Sequence, residues 1–268
     1  MKKSVLLVTD FYYEAKGREY FREDLELSRF LKKHFTVSIA HIEDVVALAD
    51  HVDLLLLRNT GPQMLHQEAL SALRKREDLV LFNDLLGKGD INGKQHLLEL
   101  YHAGYPVIPS FTKKADVTAS DRYLLKPLNG ADSTGVQIVA WDELQESYNN
   151  MLIQPLVDFA YEVSFYFLSD KFYYALYAPD PKCRWKLVPY SASEEDVAFA
   201  QQFIIWNSCK QGIQRVDACR TPAGQLLLME LEDYNPYLSL ALVPEKTKEL
   251  FLEDLCEMLS AYTCFSFN

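Results

Sequence analysis

No pair among the five cysteines, at 183, 209, 219, 256 and 264, forms a C-x-x-C, and they make no even framework. They read as small apolar residues buried in a reducing compartment, Cys219 being simply a strand residue. No apolar run approaches 18 residues, so no membrane span is expected. Met1-Lys2-Lys3 is followed by V-L-L-V, but that run stops at Thr9-Asp10, too early for a signal peptide. The cytoplasm is the expected location. Positive charge is not in excess either. A net charge of −11 argues against nonspecific binding to nucleic acid or an anionic membrane. A local basic pocket for phosphates remains compatible with it. No G-x-G-x-x-G follows the first strand pattern, which removes a dinucleotide site. No repeat or low-complexity tract is present. The six histidines are scattered, with His34, His51 and His66 reading as surface residues, and the chemistry below requires no Ser/His/Asp or Cys/His constellation.

What is present is an ordinary globular composition, 49% hydrophobic and 24% charged, over 268 residues, enough for one or two domains. The first 85 residues alternate strand and helix. V-L-L-V-T-D (5–10), V-S-I-A-H-I (37–42), V-D-L-L-L-L-R (52–58) and L-V-L-F-N-D (79–84) are near-continuous apolar runs, as strands buried on both faces require. Leu25, Leu27, Phe30, Leu31 and Phe35 have helical spacing, and Leu65, Leu70 and Leu73 mark another helix. Alternating β and α predicts a parallel sheet with right-handed crossovers. Ligands of such sheets sit beyond the carboxyl ends of the strands, which brings Asp10, Arg58-Asn59 and Asn83-Asp84 into view. Residues 86–93 are a glycine-punctuated loop, and a short helix from Lys94 to His102 leads to P-V-I-P-S-F (106–111). From about residue 115 the pattern changes to short strands at 123–127, 136–140, 151–157, 161–168, 171–177, 215–220 and 226–232. Helices are predicted at 142–149, 194–211 and 244–262, so the second half reads as α+β with antiparallel sheets.

The segment R-V-D-A-C-R-T-P-A-G-Q-L-L-L-M-E-L-E-D-Y-N-P (215–236) reads as a β-hairpin turning at Thr221-Pro222-Ala223-Gly224. If Arg220 faces Gln225, Arg215 lies opposite Glu230 and Asp217 opposite Leu228. Asp217, Glu230 and Glu232 then share one face with Arg215, and Leu226 and Leu228 cover part of it. Three acids on one sheet face repel unless a cation lies between them, and hard oxygens on a rigid strand pair suit magnesium. A solvated hairpin face is the alternative. Upstream, Y-L-L-K-P-L-N-G-A-D-S-T-G-V (123–136) is a strand, a lysine and a loop whose amides and hydroxyls suit phosphates. It is not a Walker loop, because Lys126 precedes it. M-L-I-Q-P-L-V (151–157) and Y-E-V-S-F-Y-F (161–167) then offer an apolar slot for a flat base and a glutamate for ribose hydroxyls. Each motif alone also fits a plain turn or a solvated polar residue.

In this order the motifs resemble the ATP-grasp superfamily, in the branch of glutathione synthetase, D-alanine–D-alanine ligase and the ribosomal-protein glutamate ligases. N-G-K-Q-H-L-L-E-L-Y-H-A-G-Y-P-V-I-P-S-F (92–111) is similar to that branch's lysine-bearing helix, so the resemblance spans essentially the whole chain. It implies an α/β Rossmann-like preATP-grasp domain (1–88), a linker helix and strand (89–114), a lid subdomain (115–150) and a C-terminal α+β subdomain (151–268). It further implies that Lys94 and Lys126 contact the ATP phosphates and that the lid loop runs from Gly130 to Gly135, with Asn129, Ser133 and Thr134 at the nucleotide. Gln154 and the backbone of Leu156 and Val157 would hold adenine, and Glu162 the ribose. Asp217, Glu230 and Glu232 would bind two magnesium ions, with Arg215 and Arg184 at the transferred phosphoryl group. The sequence departs from the family in having Glu232 where an asparagine is usual, a change that keeps a hard oxygen ligand. Ala131-Asp132 replaces lid glycines, and Ala178-Pro179 stands where some relatives carry basic residues.

The implied activity is carboxylate–amine ligation through an acylphosphate on an amino acid, peptide or small acid. An ATP-grasp kinase and a non-catalytic nucleotide-binding regulator are the alternatives. Expected partners are a small carboxylate and an amine, with neither nucleic acid nor membrane, and a homodimer is compatible. Arg58, ending a buried strand, is placed to pair a substrate carboxylate, unless it forms a structural salt bridge. Tyr12, Tyr13 and Arg18 are placed to add substrate contacts.

Overall fold

The structure is a computed structural model that describes residues 2–15, 18–130, 133–180 and 183–262. Ala131, Asp132 and Cys264 lie outside the described residues, as does the side chain of Arg18. The chain begins β1 (Ser4–Thr9), β2 (Glu14–Ala15), β3 (Arg18–Glu19), α1 (Phe21–Leu31), β4 (Thr36–His41), α2 (Val45–Leu48), β5 (Leu54–Leu57), α3 (Gln67–Arg74) and β6 (Val80–Phe82). β1, β4, β5 and β6 form a parallel sheet in the order β4-β1-β5-β6. β1 and β5 are central, and residues 5–8 and 54–57 are apolar throughout because both of their faces are covered. Val5, Leu7, Leu54 and Leu56 face α1, while Leu6, Val8, Leu55 and Leu57 face α2 and α3.

The chain continues through α4 (Gln95–His102), β7 (Tyr123–Pro127), β8 (Gln137–Val139), β9 (Met151–Pro155), β10 (Tyr161–Leu168), β11 (Lys171–Ala178), β12 (Val188–Tyr190), α5 (Glu194–Asn207), β13 (Ile213–Arg220), β14 (Leu226–Glu232) and α6 (Glu245–Tyr262). A three-stranded antiparallel sheet, β8-β7-β9, has its own small core of Phe111, Tyr123, Leu125, Leu144 and Ile153. A five-stranded antiparallel sheet runs β12-β11-β10-β13-β14. One of its faces, carrying Val163, Phe165, Val216, Ala218, Leu228 and Leu231, packs on α4 and α5. Tyr166 and Leu168 on the opposite face join the core of α1, α6 and the parallel sheet. Residues 142–149 are not a helix: only a single 3-10 turn forms at Trp141–Glu143, and Leu144 turns inward to the small core. Residues 106–111 form no strand but isolated bridges, Val107 with Leu228 and Phe111 with Ile153. α5 ends at Asn207, earlier than predicted, because Ser208 adopts a left-handed conformation at φ 60°. Cys209, Cys219 and Cys256 are buried free thiols, and Cys183 is partly exposed. No helix of the described residues is long and apolar enough to cross a membrane.

Candidate functional site

The hairpin β13–β14 differs from the expected register in an instructive way. Its loop has three residues, closed by Thr221 and Gln225, with Gly224 at φ 84° in the left-handed position such loops need. Pairing from this turn puts Leu226 opposite Arg220 and Leu228 opposite Ala218. Continued uniformly, it would place Glu230 opposite Val216, on the buried face. Met229 is instead an extra residue, a β-bulge, after which Asp217 faces Glu230 and Arg215 faces Glu232. The bulge thus returns both glutamates to the face of Asp217. Leu226 and Leu228 lie on the opposite, buried face and do not cover the acids. On β10 the same alternation brings Glu162, Ser164 and Tyr166 to the acid face, Ser164 opposite Asp217 and Tyr166 opposite Arg215.

This face floors a cleft of about 800 Å³. Asp217, Glu230 and Glu232 offer carboxylate oxygens all within 4.8 Å of one another, the donor set for a hard divalent cation. Cations of the chain meet the same oxygens. Arg215 donates to Asp217 from Nε at 2.9 Å and Nη2 at 2.8 Å, and also to Glu232. Lys94 Nζ lies 2.9 Å from Glu230 and donates to the Gly130 carbonyl. Burial pushes the Glu230 carboxyl up, but Lys94 and Lys126 outweigh it and hold it at about 2. Burial lowers Lys126, which forms no ion pair among the described residues. Arg184 Nε is 2.5 Å from Glu162 Oε1, an ion pair without hydrogen-bond geometry, and burial raises Glu162.

At the other end, Gln154 donates to Ser110 Oγ at 2.8 Å, while its buried Oε1 has no partner. Ile108, Leu124, Ile138 and Met229 line the slot beside it. Leu156 spends its N–H on the Arg122 carbonyl at 2.9 Å, whereas the Val157 N–H makes no hydrogen bond among the described residues. An unpaired buried acceptor next to a free backbone donor and apolar walls suits a flat heterocycle with an amino group. Asn129, Gly130 and Ser133 line the cleft too; Thr134 and Gly135 are exposed outside it.

Arg58 is placed elsewhere. It is fully buried, 3.2 Å from Asp24 and 3.5 Å from Glu23 of α1, and donates to the Pro236 carbonyl, so it braces the loop after β14 and forms no part of the cleft wall. Asp10 accepts from Tyr12 and Tyr13 and pairs with His41. Asn83 bridges Ile213 and Asp233, and Asp84 caps Lys210 and Gln211. Of the residues flagged beyond the strands of the parallel sheet, only Asn59 reaches the cleft. Tyr13 lines it, whereas Tyr12 points to solvent. His34 and His51 are exposed as expected, but His66 is half-buried with Nε2 enclosed and unpaired, and burial lowers its pKa.

Burial pushes Glu23 up to about 7, against the pull of Arg58 and of the Leu238 and Leu240 amides. A raised carboxyl favours the fold fully below its unfolded value near 4.5 and loses that contribution as pH rises through 7. Wild type is therefore expected to lose roughly 3 kcal/mol relative to Glu23→Gln between pH 4.5 and 8, read from urea midpoints.

Two contributors carry no motif signal. His96 is fully buried, with Nδ1 2.9 Å from the Gly93 carbonyl and Nε2 accepting from the Leu231 amide at 3.3 Å, so it fastens the start of α4, and with it Lys94, to β14. Asp90 lines the cleft beside Glu232 and is raised by burial and by Asp233 and Glu232. Only the glycine punctuation of residues 87–93 marked that loop. Gly93 itself, at φ 75°, lets Lys94 N–H reach the Leu128 carbonyl at 2.8 Å; a Cβ there would sit 2.7 Å from that oxygen and 2.5 Å from Asn129 Oδ1. Gly93→Ala is expected to destabilise by about 2 kcal/mol or more in urea unfolding and to weaken nucleotide binding, because both strain and displacement fall on Lys94.

Compared by sequence, the chain matches no family model and no curated protein. Compared by structure, it matches D-cycloserine synthetase DcsG at a TM-score of 0.74 and 17% identity, over 96% of this chain and 99% of that one. It matches D-alanine–D-alanine ligase from Bacillus anthracis, complexed with ATP, at 0.67 and 15%, over 98% and 97%. The ATP-grasp ligase PsnB, complexed with a variant of its minimal precursor, Mg and ADP, gives 0.65 and 13%, over 98% of each chain. The chain has the ATP-grasp fold. Within that fold, strands of two antiparallel sheets face each other across the cleft, with Lys126 on β7 and the acids on β13 and β14.

Proposed function

We propose that the chain is an ATP- and magnesium-dependent carboxylate–amine ligase. The observation that carries this reading is the convergence of Asp217, Glu230 and Glu232 with Lys94, Lys126, Arg184 and Arg215 in one cleft that is also lined by Gln154 and apolar side chains. In this reading residues 1–88 are the preATP-grasp domain of Rossmann type, 89–114 the linker, 115–150 the lid subdomain and 151–268 the C-terminal subdomain.

Gln154 Oε1 accepts from the adenine amino group, Val157 binds the ring edge through its backbone, and Glu162 takes ribose hydroxyls. Lys94 and Lys126 lie along the phosphates, and Gly130 to Gly135 close over them. The three acids would hold magnesium, which would neutralise phosphate charge. Arg215, fixed by Asp217 and Glu232, and Arg184 steady the γ-phosphoryl group as it leaves ADP for a carboxylate oxygen. An amine then attacks the acyl carbon, the acyl–oxygen bond to phosphate breaks, and the amine proton leaves with the departing inorganic phosphate. A closed loop keeps water from the acylphosphate.

The structural neighbours include D-alanine–D-alanine ligase and a ligase complexed with a precursor, which supports an amino acid, a peptide or another small acid as the carboxylate substrate. The test is ADP release over a panel of carboxylic acids with hydroxylamine present. Acid-dependent hydroxamate supports the ligase; a stable phosphoester without hydroxamate makes it a kinase, and no turnover leaves a nucleotide-binding regulator.

A further inference from the structure

Residues 236–240, after β14, run past the cleft with Tyr237 and Ser239 in its wall, and their backbone is fastened from behind. The Pro236 carbonyl accepts from Arg58 Nη2 at 3.1 Å and the Leu238 carbonyl from the Tyr174 hydroxyl at 2.8 Å. The Leu238 and Leu240 amides donate to Glu23 Oε1 and Oε2 at 2.8 and 3.1 Å. Between these anchors the Tyr237 carbonyl accepts from Arg215 Nη1 at 3.3 Å. Asp217 and Glu232 also grip Arg215, but their oxygens belong to the cluster suited to a divalent cation. The Tyr237 carbonyl is an anchor for the guanidinium outside that donor set.

Resting on the ligase reading for what Arg215 touches, we infer that Glu23 is a positioning residue: its ionised carboxylate holds residues 236–240 so that Tyr237 aims Arg215 at the γ-phosphoryl group, and its protonation loosens that hold. Both Glu23 oxygens accept from amides, so a proton on either one sets a donor against an N–H. Its charged neighbours come from several elements. Arg58, at the end of β5, is 3.5 Å away. Asp24, beside it on α1 and also raised by burial, accepts from Thr9, Asn59 and Arg58. Burial, and Glu23 in part, raise the Tyr166 and Tyr174 hydroxyls of β10 and β11, so both stay protonated. Arg22, Glu26, Arg29 and Lys33 of α1 share a groove with Glu23, as do Glu245, Lys248 and Glu249 of α6, and their charges nearly offset. Burial therefore prevails and brings the Glu23 titration to about 7, where a modest change of pH alters its charge.

The test is calorimetric titration of the full chain in magnesium with a non-hydrolysable ATP analogue and with ADP, at pH 6 and pH 8, for wild type and Glu23→Gln. Wild type at pH 8 is expected to prefer the analogue. Glu23→Gln is expected to lose about tenfold of that preference there and to match wild type at pH 6. Titration of the nucleotide phosphates is common to both proteins and cancels between them. Wild type loses stability relative to the variant over the same pH rise, so this loss runs against the stability change and is not unfolding. Hydrogen exchange at the Leu238 and Leu240 amides, corrected for intrinsic rates, is expected to be faster in the variant at pH 8. In wild type alone the same amides are expected to lose protection from pH 8 to pH 6, a reading that needs no variant. A preference kept by the variant at pH 8, a loss equally large at pH 6, or exchange at both amides unchanged by pH in wild type overturns the inference and leaves the ligase standing. Equal binding of the analogue and ADP by wild type at pH 8 overturns the placement of Arg215 in the ligase reading, and this inference with it.

Discussion

Glu230→Gln is expected to lower magnesium-dependent ADP release by roughly a thousandfold while the protein stays folded. The reasoning starts from charge. Glu230 meets a cation from outside the hairpin, Lys94, and its carboxyl is held at about 2 although burial pushes it up. The carboxylate is therefore ionised at any working pH and available to a divalent cation. A glutamine keeps the shape and one oxygen but removes the charge that binds the metal and fixes Lys94. Half-saturation by magnesium is expected to rise together with the fall in turnover, and Glu230→Asp is expected to recover part of both. Undiminished turnover at an unchanged magnesium requirement would show that the acids serve only to anchor Lys94.

Arg215→Met is expected to cost about 3 kcal/mol of stability and nearly all turnover. Arg215 spans Asp217, Glu232 and the Tyr237 carbonyl, and its guanidinium lies 6.0 Å from the centre of the buried Tyr166 ring. Removing it takes the guanidinium out from between two part-buried carboxylates, Asp217 and Glu232. Adding Glu232→Gln to that variant is expected to restore most of the stability, since one acid of the repelling pair is neutralised, but none of the turnover. Urea unfolding and ADP release measured on wild type, the two single variants and the double variant separate the two effects. If the single variant is as stable as wild type, the arginine is not what holds the acids together. Arg215→Lys is not a neutral control, because an ammonium cannot reproduce a two-pronged contact with Asp217.

The alternation of apolar runs in the first 85 residues was enough for a parallel sheet, since strands buried on both faces have no polar side to display. The acids of β13 and β14 were legible as one cluster, but their partners were not. Partnering depended on a three-residue loop in place of four and on the bulge at Met229, two offsets whose effects on the face of Glu230 and Glu232 cancel. Arg58 shows the opposite limit. Its position at the end of a buried strand was readable, yet Glu23 and Asp24, about 35 residues earlier, turn inward from α1 and take its charge. His96 looked like any other scattered histidine until α4 packed on β14.

By itself, then, the sequence determined the strands of the parallel sheet, most of the later strands, and which residue types stand together on them, because these follow from short-range periodicity. Tertiary structure alone decided which cation meets which acid, that Arg58 braces the fold instead of facing the cleft, and that Tyr20 meets Tyr237. Those outcomes depend on the packing of segments far apart in the chain, where burial and charge are set by neighbours that no local pattern names.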